Sequence, residues 1–259
     1  MDTNYFEFSY AESVLKMNLD GGTVLGWKNK NEEVFYQGSN DKRSGIPILF
    51  PFANPLENDI FQFTGLEIPQ HGFARKSLWS LRNISDSILE LSLNYENIDP
   101  TWQKAYPFKF DLNIILDIST PNVLSYCMQV QNLDHKNIPI APGIHPYFPI
   151  SHINKMNLQI QTINLQKIDW ETNSDGYFFD FDGEIQAQFP NGKTIKIQEI
   201  SPEKEFQNIV IWSQNEEKED FDFVCLEPFT RKSNAINTAP ILVRPQEAWE
   251  KTIIFEILS

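Results

Sequence analysis

Apolar and polar residues alternate with a period of two along most of the chain. In FDLNIILDIS, residues 110–119, five apolar side chains from Phe110 to Ile118 fall on one face and three polar side chains fall on the other. The segments ILELSLNYE at 88–96 and KTIIFEILS at 251–259 have the same kind of pattern. The pattern predicts half-buried β-strands, with the C-terminal segment as a closing strand.

Two strand pairs are predicted with their connections. EIQAQF and TIKIQEI flank PNGK, where Asn191 and Gly192 are expected to adopt the positive φ angles of a tight two-residue turn. NIVIWS and FDFVCLE flank QNEEKED, which we interpret as a solvated loop. The best helical segment is DPTWQKAY, with Asp99 as cap and Pro100 at the first helical position.

No linker or internal repeat divides the chain, so we expect a single domain over residues 1–259. Its fold class is predicted to be all-β, as a large antiparallel β-sandwich or an irregular barrel with few short helices. With 41% hydrophobic and 13% aromatic residues, the chain can bury a sizeable core.

The net charge of -14 disfavours nucleic acid and anionic membranes as partners. An anionic small substrate is still possible if a few arginines converge locally. Cys127 and Cys225 stand far apart in apolar segments and are predicted to be small core residues. The N-terminus does not resemble a signal peptide and no stretch of about 18 apolar residues occurs, so we expect a cytoplasmic protein.

The four histidines form no HxH or HxxxH pair, and GxGxxG, GxxxxGK[ST] and GxSxG are absent from the sequence. We therefore expect neither a metal nor a cofactor. The candidate chemistry lies in three other stretches. His145 stands in APGIHPYFPI, His71 and Arg75 stand in LEIPQHGFARKSLW, and Glu227 follows an alternating strand in FDFVCLEPFT. Turns and strand ends of this kind can aim proton-handling side chains into one cleft.

Each candidate has a plain structural interpretation beside the chemical one. His145 could be a satisfied core histidine, but Pro146 stiffens its turn, and Tyr147 with Phe148 offers an apolar surface for a sugar ring. Glu227 shares the apolar side of its strand, where a carboxylate needs a partner and suits a general base with a raised pKa. We expect the proline after it to end that strand.

The other candidates also have structural alternatives. His71 could be a polar turn residue, and Arg43 and Arg75 could pair with surface carboxylates. Against this, the glycine after His71 would let the backbone approach a ligand closely. Trp212 in VIWS is more readily interpreted as a core strand residue than as a cleft aromatic.

Taken together, several motifs resemble those of the aldose 1-epimerase, or galactose mutarotase-like, family. They are RSGIPILFPFANPL, PQHGFAR, YPFKF, GIHPYF and VCLEPFT with SNAINT, over roughly residues 20–255. The likeness is greatest to the branch that includes hexose-6-phosphate mutarotases. The resemblance implies a large antiparallel β-sandwich with a sugar cleft across one sheet.

The resemblance also implies roles for individual residues. Glu227 would be the base that removes the anomeric hydroxyl proton, and His145 the acid that protonates the ring oxygen. His71 would hydrogen-bond the sugar, while Arg43 and Arg75 would line the cleft. The partner would be a small sugar or sugar phosphate.

The sequence leaves two features of substrate specificity undecided. The loop with Arg43 reads RSGIP where a second glycine is usual in the phosphate-sugar branch. The galactose branch also holds sugar hydroxyls with an aspartate, for which Asp169, Asp175 and Asp180 are candidates without a secure alignment. The alternatives to a mutarotase are a non-catalytic carbohydrate-binding protein and a glycosidase or lyase. A glycosidase generally needs two carboxylates, and only Glu227 stands at a motif position.

Overall fold

The computed structural model describes residues 4–39, 41–171, 176–215, 218 and 220–258, except for the side chain of Lys42. Antiparallel strands dominate, as predicted. In chain order the strands are β1 (Tyr5–Tyr10), β2 (Ser13–Asn18), β3 (Thr23–Asn29), β4 (Glu32–Glu33), β5 (Ile48–Leu49), β6 (Ile60–Phe61), β7 (Leu66–Glu67), β8 (Ser80–Ile84), β9 (Ile88–Asn94), β10 (Phe110–Asp117), β11 (Val123–Asn132), β12 (Ile138–Ile140), β13 (Gly143–Ile144), β14 (Tyr147–Pro149), β15 (Gln159–Ile160), β16 (Tyr177–Asp180), β17 (Glu184–Gln188), β18 (Thr194–Glu199), β19 (Asn208–Trp212), β20 (Phe223–Phe229), β21 (Ile241–Val243) and β22 (Ala248–Leu258).

Helices are short and lie between strands. The α-helices are α1 (Pro100–Ala105) and α2 (Ala235–Thr238), and 3-10 turns cover Asp41–Arg43, Glu57–Asp59, Ala74–Lys76, Tyr95–Asn97, His152–Asn157 and Leu165–Lys167. The predicted start of α1 is confirmed, because the Asp99 side chain accepts a 2.7 Å hydrogen bond from the amide of Thr101 and Pro100 is the first helical residue. No helix in the described part of the chain is long and apolar enough to cross a membrane.

Two large sheets form the sandwich. One has eight strands in the order β15-β17-β18-β22-β11-β10-β9-β8, and the other runs β16-β19-β20-β13-β5 with β14 also paired to β20. Their facing side chains meet in one large apolar cluster, where the rings of Phe148 on β14 and Phe255 on β22 have centroids 6.3 Å apart. The predicted antiparallel β-sandwich is therefore confirmed.

The predicted strands β9, β10, β17, β18 and β22 are confirmed, whereas one turn differs from its prediction. β9, β10 and β22 cover the predicted segments, and β17 pairs with β18 as the predicted hairpin. Within its turn only Gly192 has a positive φ, of 86°, while Asn191 does not. Asn191 instead accepts a hydrogen bond from the amide of Lys193, and the loop closes between Phe189 and Lys193, so the turn is longer than the predicted two residues.

β20 continues past the proline that was expected to end it. Pro228 pairs with Ile209 of β19, and the strand ends at Phe229. On its other side β20 pairs with β14 up to Cys225 and with β13 at Phe229, so Pro228 falls between two partners. A proline is tolerated there because neither partner strand pairs with it on that side.

The two faces of β20 have different surroundings. Val224 and Leu226 belong to the main cluster between the sheets. Phe223 and Cys225 pack instead with Tyr147 in a separate cluster on the other face of the six-stranded sheet. Glu227 follows Cys225 at a spacing of two and therefore lies on this second face. The sandwich thus uses one face for its core and presents the candidate carboxylate on the other.

Candidate functional site

Three of the sequence-predicted residues meet on this second face. His145 lies between β13 and β14, and its Nε2 atom is 3.5 Å from Oε1 of Glu227 on β20. The His71 ring lies edge-on to the His145 ring, with centroids 5.6 Å apart. Both His145 and Glu227 are almost fully buried, with 5% and 2% of their surface exposed.

Backbone hydrogen bonds fix the position of His145. Its amide donates to the carbonyl of Pro47 over 3.1 Å, and the amide of Tyr147 donates to Gly45 over 2.9 Å. Hydrogen bonds on both sides of Pro146 therefore fix this turn to residues 45–47, the segment just before β5. This agrees with the prediction that the turn around His145 is rigid.

Aromatic rings pack around the His145 ring on the sides that do not face Glu227. Within the described residues its buried Nδ1 atom has no hydrogen-bond partner. The ring stacks on Tyr147 with centroids 4.8 Å apart and planes 8° apart, and Trp212 packs edge-on at 5.6 Å. Trp212 is therefore part of the site, contrary to the core interpretation, because it lies at the end of β19 beside His145. Phe148 points into the core and is not part of an exposed apolar surface beside His145.

His71 lies in a tight left-handed turn. Its φ is 68° and that of Gly72 is 70°. Its Nδ1 atom makes a short hydrogen bond with the carbonyl oxygen of Ala53. A neutral imidazole that donates from Nδ1 keeps Nε2 as an acceptor. Gly72 is needed for close packing of the protein backbone rather than for the approach of a ligand. A Cβ at this position would lie 2.1 Å from the carbonyl oxygen of Phe50.

Arg75 is the positively charged residue that acts on His71, His145 and Glu227. It belongs to the 3-10 turn Ala74–Lys76 and is half-buried. Burial lowers its pKa, while Tyr147 and Glu227 raise it. The predicted place of Arg75 beside the candidate acid and base is thus consistent with its electrostatic partners.

Arg43 has Tyr147 and Asp220 as electrostatic partners. It ends the 3-10 turn Asp41–Arg43 and is half-buried. Its charge lowers the pKa of Tyr147, which burial raises, and contributes to the lowered pKa of Asp220. Asp220 accepts hydrogen bonds from the amide and the hydroxyl of Ser39, at 2.8 and 2.7 Å. The acidic loop expected to be solvated is thus joined at Asp220 to the loop that precedes Arg43.

The buried groups have strongly shifted proton affinities. Burial raises the pKa of Glu227 well above its usual range, and the charge of Arg75 partly opposes this. Burial lowers the pKa of His145 well below its usual range, and His71 and Arg75 lower it further. Burial and the Arg75 charge lower the pKa of His71 to about 3. His71 is consequently neutral at physiological pH.

Comparison with known proteins identifies the family of this chain. The sequence profile of the aldose 1-epimerase family matches residues 9–256. The chain belongs to this family. Protein LacX of Lactococcus lactis subsp. lactis is 31% identical over 141 residues, which cover 49% of this chain and 45% of LacX. The chain thus spans less than half the length of this relative.

Other relatives match over more of their length. A putative glucose-6-phosphate 1-epimerase of Cenchrus ciliaris is 25% identical over 281 aligned positions, covering 91% of this chain and 78% of that protein. Among solved structures, Slr1438 from Synechocystis sp. PCC 6803 superposes with a TM-score of 0.79 at 22% identity, over 98% of this chain and 95% of that chain. Galactose 1-epimerase from Lactobacillus acidophilus NCFM has a TM-score of 0.72 at 14% identity, over 98% and 94%. These structures share the fold of this chain.

The remaining candidates stand apart from this group or outside the described residues. Asp175 lies outside the described residues, and Asp180 lies on β16 at the edge of the six-stranded sheet. Cys225 is fully buried, as predicted, whereas Cys127 is only half-buried. Cys225 was missed as a neighbour of the site, although its spacing of two from Glu227 places both on one face of β20.

Proposed function

We propose that this protein is a mutarotase that interconverts the α and β anomers of a hexose or a hexose 6-phosphate. The observation that carries this is the buried pair of His145 and Glu227, whose Nε2 and Oε1 atoms lie 3.5 Å apart. One side chain of the pair can take a proton while the other gives one, as ring opening requires. Membership of the aldose 1-epimerase family supports the same reaction class.

In the proposed reaction Glu227 removes the proton from the hydroxyl on C1 while His145 protonates the ring oxygen O5. The C1–O5 bond breaks and C1 becomes a carbonyl carbon. Rotation about C1–C2 presents the other carbonyl face to the O5 hydroxyl. His145 then takes the proton from O5 as the ring closes, and Glu227 returns a proton to O1. Both side chains regain their starting states, so the reaction consumes no further reactant.

Burial decides which side chain of the pair holds the proton. Burial raises the pKa of Glu227 and lowers that of His145, which favours the proton on the carboxyl group when no sugar is present. The reactive state needs the proton on His145. The transfer takes place within the pair, and Arg75 favours the Glu227 carboxylate through its charge. The hydroxyls of a bound sugar further stabilise the charged groups.

The other residues of the site bind and orient the sugar. The neutral His71, which bonds Ala53 through Nδ1, offers its Nε2 atom as acceptor to a sugar hydroxyl. Arg43 and Arg75 line the cleft. Trp212, half-buried beside His145, adds an aromatic surface at the site.

The sugar class depends on the region around Arg75. Arg75 and Lys76 line a cavity of about 590 Å³, whose wall also includes Asp20 and Asp41 but not His145 or Glu227. The two cations favour a phosphate group, and the two carboxylates oppose it. We therefore include neutral hexoses and their 6-phosphates in the proposal. The cytoplasmic location and the exclusion of nucleic acid stay predictions from the sequence.

An NMR exchange experiment tests the proposal. Magnetisation transfer between anomers is measured for glucose, galactose, glucose 6-phosphate and galactose 6-phosphate, with wild type, Glu227→Gln and the control Glu67→Gln. Glu67 is exposed on β7. We expect wild type and the control to enhance exchange for at least one sugar and Glu227→Gln to lose it. A folded wild-type protein that enhances none of them would contradict the proposal and favour a carbohydrate-binding protein.

A further inference from the structure

Cys225 places a third metal-ligating atom beside the proposed acid and base. Its sulfur, a ring nitrogen of His145 and a carboxylate oxygen of Glu227 all lie within 4.8 Å of one another. No other group of three such side chains with this proximity occurs in the described residues. All three residues are buried, with 5% exposure or less. The reaction proposed above leaves Cys225 without a role.

The spacing of the three atoms is close to that of a zinc site. Tetrahedral zinc has bonds of about 2.0–2.3 Å to nitrogen, oxygen and sulfur, which keeps its ligand atoms roughly 3.3–3.7 Å apart. The His145 to Glu227 distance of 3.5 Å lies within that range. Movements of about 1 Å by these side chains would bring the whole set to bonding distance.

The types of ligand also point to one class of metal. One thiolate, one imidazole and one carboxylate form a mixed set that borderline-soft ions of the zinc class accept. Mg²⁺ and Ca²⁺ prefer sites built from six or more oxygens, which this group does not supply. Three protein ligands leave a fourth position for a water or a sugar hydroxyl.

The charges around the group restrict how a metal can bind. Arg75 acts on Glu227, and Arg43 and Lys155 act on Cys225, each as a positive charge. A divalent cation added to neutral ligands would meet this positive field. Coordination by the Cys225 thiolate and the Glu227 carboxylate gives a neutral cluster, because two negative charges cancel the charge of the ion. The thiol proton of Cys225 and the carboxyl proton of Glu227 both pass to solvent as the sulfur–metal and oxygen–metal bonds form.

We propose that His145, Cys225 and Glu227 form an inhibitory binding site for a divalent ion of the zinc class. The ion occupies the His145 nitrogen that faces Glu227 and the carboxylate itself, so neither can transfer a proton. The inhibition rests on the mutarotase function proposed above, whereas the binding of the ion does not.

Cobalt provides a direct test of binding, because Co²⁺ adopts zinc-like sites and its thiolate complexes have charge-transfer absorption. Metal-free wild type, Cys225→Ser and the control Cys127→Ser are titrated with Co²⁺. Cys127 is the other cysteine of the chain. In wild type and Cys127→Ser we expect a thiolate-to-cobalt absorption band that saturates at one Co²⁺ per protein. In Cys225→Ser we expect this band to be lost. Cys225→Ala serves as the second variant if the buried hydroxyl impairs folding, as judged by circular dichroism.

Zinc inhibition is then measured as the rate with Zn²⁺ relative to the same variant's rate without it. We expect at least a tenfold fall for wild type and Cys127→Ser, and little change for Cys225→Ser. Absence of the cobalt band in folded wild type, or its survival in both Cys225 variants, would overturn the proposed site. A cobalt band in a protein that does not enhance anomer exchange would support the metal site and contradict only the proposed function. A cobalt band without zinc inhibition of an active enzyme would overturn the inhibitory role.

Discussion

The imidazole of His145 lies flat against the phenol ring of Tyr147, with ring centroids 4.8 Å apart and planes inclined by 8°. Since the buried Nδ1 atom of His145 has no hydrogen-bond partner in the described residues, this stacking is the main restraint on the ring. The position of this proton donor therefore depends on the shape of the ring stacked against it.

The first prediction tests this restraint. Tyr147→Ala removes the stacked ring and should lower kcat by about 10²-fold, because misplacing a catalytic group by about 1 Å has effects of this size. Tyr147→Phe keeps the stacked ring and should retain most of the activity. Anomer exchange by NMR gives both rates, and circular dichroism checks the fold. Equal activity of Tyr147→Ala and wild type would show that the stacking does not position His145.

The second prediction concerns the recognition of phosphate. Arg75→Ala should raise the KM for a hexose 6-phosphate about tenfold or more while changing the KM for the neutral hexose less, because it removes charge-assisted hydrogen bonds. Lys167→Ala is the control, since Lys167 is an exposed cation in another 3-10 turn, Leu165–Lys167, and does not line this cavity. Equal losses with both sugars in Arg75→Ala would remove the phosphate role.

The third prediction follows from the raised pKa of Glu227. A carboxyl group whose pKa is higher in the folded state binds more protons there, so its contribution to stability is present below the unfolded pKa of about 4.5 and is lost as the pH rises. Glu227→Gln should therefore be more stable than wild type at pH 8 by roughly 1–2 kcal/mol, with a smaller difference near pH 4. Urea unfolding at both pH values measures this. A wild type that is the more stable protein at pH 8 would contradict the account.

The fourth prediction compares two glycines that both have positive φ. Gly192→Ala should cost about 1–2 kcal/mol, from backbone strain alone, because a Cβ there meets nothing within 4 Å. Gly72→Ala should cost several kcal/mol more and impair anomer exchange, because its Cβ would lie 2.1 Å from the Phe50 carbonyl and displace the neighbouring His71. Similar unfolding free energies for the two variants would contradict the close packing of this turn.

Much of the fold could be predicted from local patterns. The alternation of apolar and polar residues at 110–119 was enough to predict β10. The positions of Asp99 and Pro100 were enough to predict the start of α1. The continuation of β20 through Pro228 could not be predicted, because it depends on a change of partner strand that no local pattern records. Asn191 was assigned the wrong turn geometry because its side chain accepts a hydrogen bond from the amide of Lys193 and the loop closes one residue wider than predicted.

The site was predictable as residue types but not as geometry. His71, His145 and Glu227 could be named from their motifs, yet their distances depend on how distant strands meet in the six-stranded sheet. The partners Trp212 and Cys225 were missed as site residues, because an apolar side chain on a strand looks the same whether it faces a core or a cleft.

The most direct measurement of the central claim is a double-mutant cycle on the buried pair. Rates of anomer exchange are compared for wild type, Glu227→Gln, His145→Asn and the double variant, each confirmed as folded. If the two side chains act as one proton-transferring unit, each single change should remove nearly all of the activity, and the double variant should lose no more than the worse single variant. Losses that add in the double variant, or undiminished exchange in either single variant, would contradict the paired acid–base role.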